Sequence, residues 1–171
     1  QRRTNGRWQV AGDTNSLLGQ LMDFDGALVA IGNNLIRLQK LTILEARGAR
    51  LATVVHPRTA ISRFAALGTG TVVFAGAVIQ VDSKIGKGCI VNTSASVDHD
   101  CELDDGVHVC PGANLAGGVR IGRGSWVGIG SSVKQLVRVG NGATIGAGAV
   151  VVDDVPDGVT VVGVPARVVV R

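Results

Sequence analysis

From Ile61 to Val151 an aliphatic residue recurs at every sixth position without a miss. The series is Ile61, Leu67, Val73, Ile79, Ile85, Val91, Val97, Leu103, Val109, Leu115, Ile121, Val127, Val133, Val139, Ile145, Val151. Two residues before each stands a small one, valine at its largest, as at Thr59, Ala77, Cys89, Cys101, Val107 and Ser125. An α-helix repeats on 3.6 residues and a strand on 2, so neither explains the pattern. A hexapeptide repeat is the signature of a parallel β-helix, and it decides the fold of everything it covers.

Each hexad supplies one short strand and one corner. The aliphatic residue fills the interior of a prism, and the small residue faces the same interior where two walls converge. Three hexads close a triangular coil, so residues eighteen apart stack, as His99 does on Gly117. At a strand spacing of about 4.8 Å, the repeat makes a prism roughly 25 Å tall. Neighbouring coils pair their backbones and bury their aliphatics together. Glycines next to the aliphatic position (Gly68, Gly86, Gly122, Gly128, Gly140, Gly146) are expected at corners that need positive φ. A content of 46% hydrophobic but only 3% aromatic residues suits thin aliphatics in a narrow prism.

The 171 residues make one or two domains. No apolar run could span a bilayer and no signal peptide opens the chain, which starts at Gln1, so a cytoplasmic setting is expected. Three cysteines argue against a disulfide framework, and Cys89 and Cys101 fall at interior positions of the repeat. The net charge of +4 comes without a basic run or interleaved aromatics, so nucleic acid is not an expected partner.

Residues 1–58 follow a different pattern, with a helical piece near Ser16–Met22. The run 27–31 reads as a strand, Gly32-Asn33-Asn34 as a turn or cap, and Leu35 to about Gly48 as a helix. Residues 51–55 read as a second strand, which completes a β-α-β unit. The loop at Gly32 could hold an anion at the helix N-terminus, or could simply cap the helix. His56 before Pro57 reads as a structural joint. The expected organisation is a partial α/β, Rossmann-like substrate unit over 1–58, a β-helix over 59–152, and a C-terminal segment over 153–171.

One stretch of the prism, Asn92 to Cys101, gathers polar and titratable groups into one corner. His99 is the natural proton acceptor there. Asp100 is the first choice of partner and Asp98 the second. Gly117, one coil along, could turn a backbone N–H toward a developing oxyanion. His108 lies half a coil away and cannot share a face with His99 within one chain. Two prisms of a symmetric oligomer could bring them together. The plain alternative is a surface histidine beside a solvated carboxylate.

The segments Asn92-Thr93, 97–101, 107–109, 111–113, 115–118 and 163–167, with 30–34, Arg37 and 55–57 upstream, resemble the NeuD-like sugar acetyltransferases. That group includes bacillosamine-pathway and perosamine N-acetyltransferases and sialic acid O-acetyltransferases, and the resemblance covers about residues 24–171. It implies a left-handed hexapeptide-repeat β-helix, a homotrimer with sites between prisms, and acetyl-CoA as donor, with no metal. It implies His99 as general base with Asp100 behind it, and His108 and Gly117 beside the thioester. Ile129 and Ala147 would line the coenzyme A channel, and Gly163, Pro165 and Arg167 would close over it. Asn92 would lie near the acceptor and Gly32 would contact a nucleotide-linked amino sugar. Members of the family begin with a strand, a Gly-His-Gly loop and an Asp-Asp pair. This chain starts after them, so its acceptor pocket is expected to be incomplete.

The expected reaction is direct acetyl transfer to the 4-amino group of a nucleotide-linked amino-deoxysugar in a ternary complex. O-acetylation of a sugar hydroxyl would use the same base. A non-catalytic trimeric scaffold is a further alternative. A three-histidine zinc site of the kind some such prisms carry is disfavoured, because His56 lies before the repeat.

Overall fold

The computed structural model describes residues 4–169. Its main body is a three-sided parallel β-helix with walls of eight, six and five strands. The first wall begins at Val54–Val55 and runs parallel through His108–Val109 and Trp126–Val127 to Thr160–Val162, and Arg167–Val168 adds an antiparallel eighth strand. The second runs from Ala60–Ile61 to Val150–Val151, and the third from Ala66–Leu67 to Arg138–Val139. Almost every strand is two residues long: the second residue points in and the first points out. Every aliphatic of the repeat from Val73 to Val151 is buried, while Ile61 and Leu67, at the open end, are half-buried.

The coil extends beyond the repeat visible in the sequence. Val54–Val55, expected within the upstream α/β unit, opens the first wall by pairing with Val72–Val73. After Val151 the last coil is two residues shorter than the others. Val155 therefore stacks on Val139 and Val161 on Ile145, and both are buried. The deletion breaks the six-residue count while the packing continues.

Glycine serves two purposes, and the sequence reading attached the wrong one to the residue after the aliphatic. Gly68, Gly86 and Gly122 do not have positive φ. A β-carbon there would lie 2.5 to 2.7 Å from the backbone of the next coil. The left-handed corner residue comes two positions later, as at Gly88 (φ 62°) and Gly106 (φ 70°). Asp82, Ser94, Asp100 and Leu136 take the same conformation without being glycine.

The small interior residues also carry hydrogen bonds. Ser125 Oγ donates to the Gly140 carbonyl at 2.6 Å and accepts the Ala143 N–H at 3.0 Å. Thr71 and Ser83 bridge successive coils in the same way.

The outward residues give each wall its own chemistry. The third wall presents Lys84, Glu102, Arg120 and Arg138, and Glu102 pairs with Lys84 and Arg120. The second presents Ala60, Val78, Ser96, Asn114, Ser132 and Val150, without one charge. The first presents Ile90, His108, Trp126 and Thr144.

Upstream, α1 (Thr14–Gly19) is capped by Asp13 and α2 (Asn34–Ala46) by Asn33, whose side chain accepts the Ile36 N–H at 3.0 Å. The expected β-α-β unit is reduced to a single parallel bridge between Ala27 and Leu51. α2 instead packs on the prism. Leu41 meets Gly70 and Gly88, Leu38 meets Gly106, and Leu35 approaches Gly124. Three helical residues advance about 4.5 Å, close to the rung spacing of about 4.8 Å. A leucine every third residue therefore keeps step with a glycine every coil.

Candidate active site

His99 and Asp100 occupy the corner between the second and third walls. Asp100 adopts φ 58°, a conformation that disfavours most side chains. That turn returns its carboxylate to the preceding residue, with Oδ2 2.7 Å from His99 Nδ1. Asp98 takes a different part, accepting the His99 backbone N–H at 2.8 Å. The Asp100 hydrogen bond, with the Asp98 charge behind it, holds the His99 imidazole above its ordinary 6.5. The ring is exposed, and its Nε2 is free to meet a reactant.

Gly117 forms the seat of that ring. A β-carbon on it would lie 2.6 Å from His99 Nε2 and Cε1, so only glycine lets the imidazole lie there. The Gly118 N–H donates to the His99 carbonyl at 2.9 Å, which fixes the stacking of the two coils. Among the described residues no acceptor takes the Gly117 N–H.

His108 belongs to a second assembly, on the wall opposite the His99 corner. It is buried, packs edge-on against Trp126 with ring centroids 4.3 Å apart, and meets Asn92 Nδ2 through Nε2 at 3.1 Å. Burial, followed by the nearby Arg37 charge, pushes its pKa down to about 4, so the ring is neutral. Asn92, His108, Trp126, Cys110, Ile129 and Ala147 line one groove of about 360 Å³. Ile129 is 57% exposed there, an apolar side chain in want of cover. The groove is mainly apolar and open at the surface, with a few polar groups along it, a form that suits a small-molecule ligand.

The remaining expected residues lie outside the lining of the groove. Gly32 lies in the loop before α2, and docking of that helix brings it beside His108. Gly163 and Pro165 form the turn between Thr160–Val162 and Arg167–Val168, which extends the wall past the groove without lining it. Arg167 lies 3.8 Å from Asp153. His56, at the joint before the repeat, accepts the Arg58 N–H through Nδ1 at 3.1 Å. Trp126, Cys110 and Arg37 had no assigned role in the sequence reading. Trp126 was within reach of it, since it stacks one coil after His108.

Cys89 and Cys101 are fully buried, with thiol pKa values pushed up by burial, that of Cys89 to about 12. Burial also raises Cys110 to about 11, so none of the three is a ready nucleophile. Among the described residues no three His, Cys, Asp or Glu side chains gather to hold a metal. No described helix is long and apolar enough to cross a membrane.

No protein-family model and no curated protein matches the chain. Solved structures do. The acetyltransferase domain of PglB from Neisseria gonorrhoeae FA1090 is 44% identical with a TM-score of 0.93, covering 99% of this chain and 84% of that one. A second structure of that domain holds acetyl coenzyme A. A histidine-to-asparagine variant of perosamine N-acetyltransferase from Caulobacter crescentus, in complex with CoA and GDP-perosamine, is 37% identical with a TM-score of 0.96, covering 99% and 81%. WeeI from Acinetobacter baumannii AYE is 31% identical with a TM-score of 0.90, covering 97% and 80%.

Proposed function

This chain belongs to the NeuD-like, hexapeptide-repeat sugar acetyltransferases with a left-handed β-helix, and from that premise we propose that it transfers acetyl from acetyl-CoA to the 4-amino group of a nucleotide-linked amino-deoxysugar. The observation that carries the reading is the His99–Asp100 pair: an exposed imidazole, made more basic by a carboxylate 2.7 Å away, seated on a glycine. Such a group is suited to taking a proton from an attacking amine.

In this reading Asp100 holds the Nδ1 proton and leaves His99 Nε2 as the base. Acetyl-CoA supplies an activated thioester carbonyl. The neutral amine attacks that carbonyl while His99 accepts the amine proton, and the Gly117 N–H stabilises the oxyanion. As the C–S bond breaks, the thiolate of coenzyme A departs and takes up a proton, and His99 returns to neutral. Ile129, Ala147, Trp126 and His108 hold the donor arm, and Gly163, Pro165 and Arg167 close over its far end. Asn92 and Gly32 face the acceptor, with the segment before the prism as the acceptor-side unit. The enzyme acts in the cytoplasm.

The site is completed in a homotrimer. His99 stands at one edge of the second wall, and Asn92 stands at the other edge beside the groove. That wall is the uncharged one, its outer residues small or neutral. Turning it toward a three-fold axis sets the His99 edge of one copy against the groove edge of the next.

The test is incubation with acetyl-CoA and GDP- or UDP-linked 4-amino-4,6-dideoxyhexoses, following release of free thiol. The expected product keeps its acetyl group in alkali, as an amide does. An alkali-labile product would assign O-acetylation instead. No thiol release above background with any amino sugar would overturn the reading.

A further inference from the structure

Helix α2 carries one buried charge for which acetyl transfer has no direct use. Arg37 is 1% exposed. Its Nε donates to the Gly88 carbonyl at 2.7 Å, and its Nη1 to the carbonyls of Ile31 at 2.9 Å and Gly32 at 3.0 Å. Its Nη2 donates to Asn34 Oδ1 at 2.9 Å and to the Gly106 carbonyl at 2.8 Å. No carboxylate is among these partners. Burying an ion costs several kcal/mol, and the leucines of α2 already pack the helix on the glycine column without a charge.

The charge bears on His108. Gly106, held by Arg37, is two residues before it, and Gly32, also held by Arg37, sets its carbonyl beside the ring, where it favours the charged form against burial and the Arg37 charge. The far side of the imidazole is fixed by Asn92. Asn92 Oδ1 accepts the Thr93 N–H at 2.8 Å, so its amide nitrogen must face His108 Nε2, which can only accept. The ring proton therefore sits on Nδ1, a buried atom without a hydrogen-bond partner. A second proton on Nε2 would set two donors against each other and turn Asn92 away from the groove. The other groups about the ring are Trp126 and Cys110 of the same wall, and Cys110 stays a neutral thiol. Among the described residues no carboxylate bears on it.

We propose that Arg37 is a positioning residue: it keeps His108 in the neutral Nδ1–H form, and His108 in turn orients the Asn92 amide at the acceptor end of the groove. The role of Asn92 rests on the acetyl-transfer reading; the coupling of Arg37 to His108 does not.

The test is a pH titration of the histidine ring nitrogens by nitrogen-15 NMR, with the His108 signals identified by their loss in His108→Asn. In the native protein His108 is expected as the Nδ1–H tautomer, still neutral when His99 is fully protonated. In Arg37→Gln its midpoint should rise by about one pH unit, and the acceptor KM should rise by about tenfold with a smaller change in kcat. Arg37→Lys should restore the low midpoint. A folded Arg37→Gln protein whose His108 titrates as in the native protein would overturn the proposal. So would a native His108 in the Nε2–H form, which decides the matter even if Arg37→Gln does not fold. If the tautomer and its shift hold but no amino sugar is acetylated, the function is wrong and the coupling stands.

Discussion

At the scale of single residues, the His99–Asp100 pair makes the sharpest predictions. His99→Ala should lower turnover by about 10²–10⁴-fold while the oligomer persists, measured by steady-state kinetics beside sedimentation. Because Asp100 raises the pKa of His99, the base is free only above that raised value, so activity should climb with pH through a limb above 6.5. Asp100→Asn should move that limb down toward 6.5. His108 has the opposite sign. Its depression from 6.5 to about 4 means that the unfolded chain binds a proton the native one refuses. Stability should be full above 6.5 and fall as the pH drops through about 4, by up to about 3 kcal/mol. Denaturant midpoints across that range should slope less in His108→Gln.

At the scale of elements, the match between α2 and the glycine column is the feature to test. Gly106 has φ 70°, and a β-carbon there would lie 2.6 Å from Leu38. Gly106→Ala should cost about 1–3 kcal/mol from overpacking, with a further contribution of about 1–2 kcal/mol from the left-handed backbone. Gly112 shares that conformation but has open space about it, so Gly112→Ala should incur the backbone contribution alone. Comparing the two melting curves separates helix docking from corner strain. Ser125→Ala would leave the Ala143 N–H and the Gly140 carbonyl without their bridge. A loss of about 1–3 kcal/mol is expected, with the walls otherwise intact.

At the scale of the whole molecule, the prediction concerns how copies share a site. Co-expressed His99→Ala and His108→Ala chains each lack one half of it. In mixed trimers roughly a quarter of the interfaces should pair an intact His99 with an intact His108 from the next copy. Activity should then exceed that of either variant alone. Mixed trimers no more active than the separate variants would show that each site is built within one chain. A charge on the neutral wall, as in Ser96→Arg, should dissociate the assembly and abolish turnover while both histidines remain.

The period from Ile61 to Val151 fixed the prism, because two-residue strands bury the same two positions of each hexad and stack every eighteenth residue. The same count put His99 over Gly117 and kept His108 off its face before any coordinates. It could not see past the shortened last coil at Val155, nor tell corner glycines from glycines squeezed by the next rung, since both occupy regular positions in the repeat. Only the folded chain revealed the grip of α2. Gly88 and Gly106 are distant from Arg37 in sequence, and a helix rise that happens to match the rung spacing brings them together. Local periodicity is written in the order of residues; the neutral state of His108 depends on what a separate element presses against it, and only tertiary packing decides that.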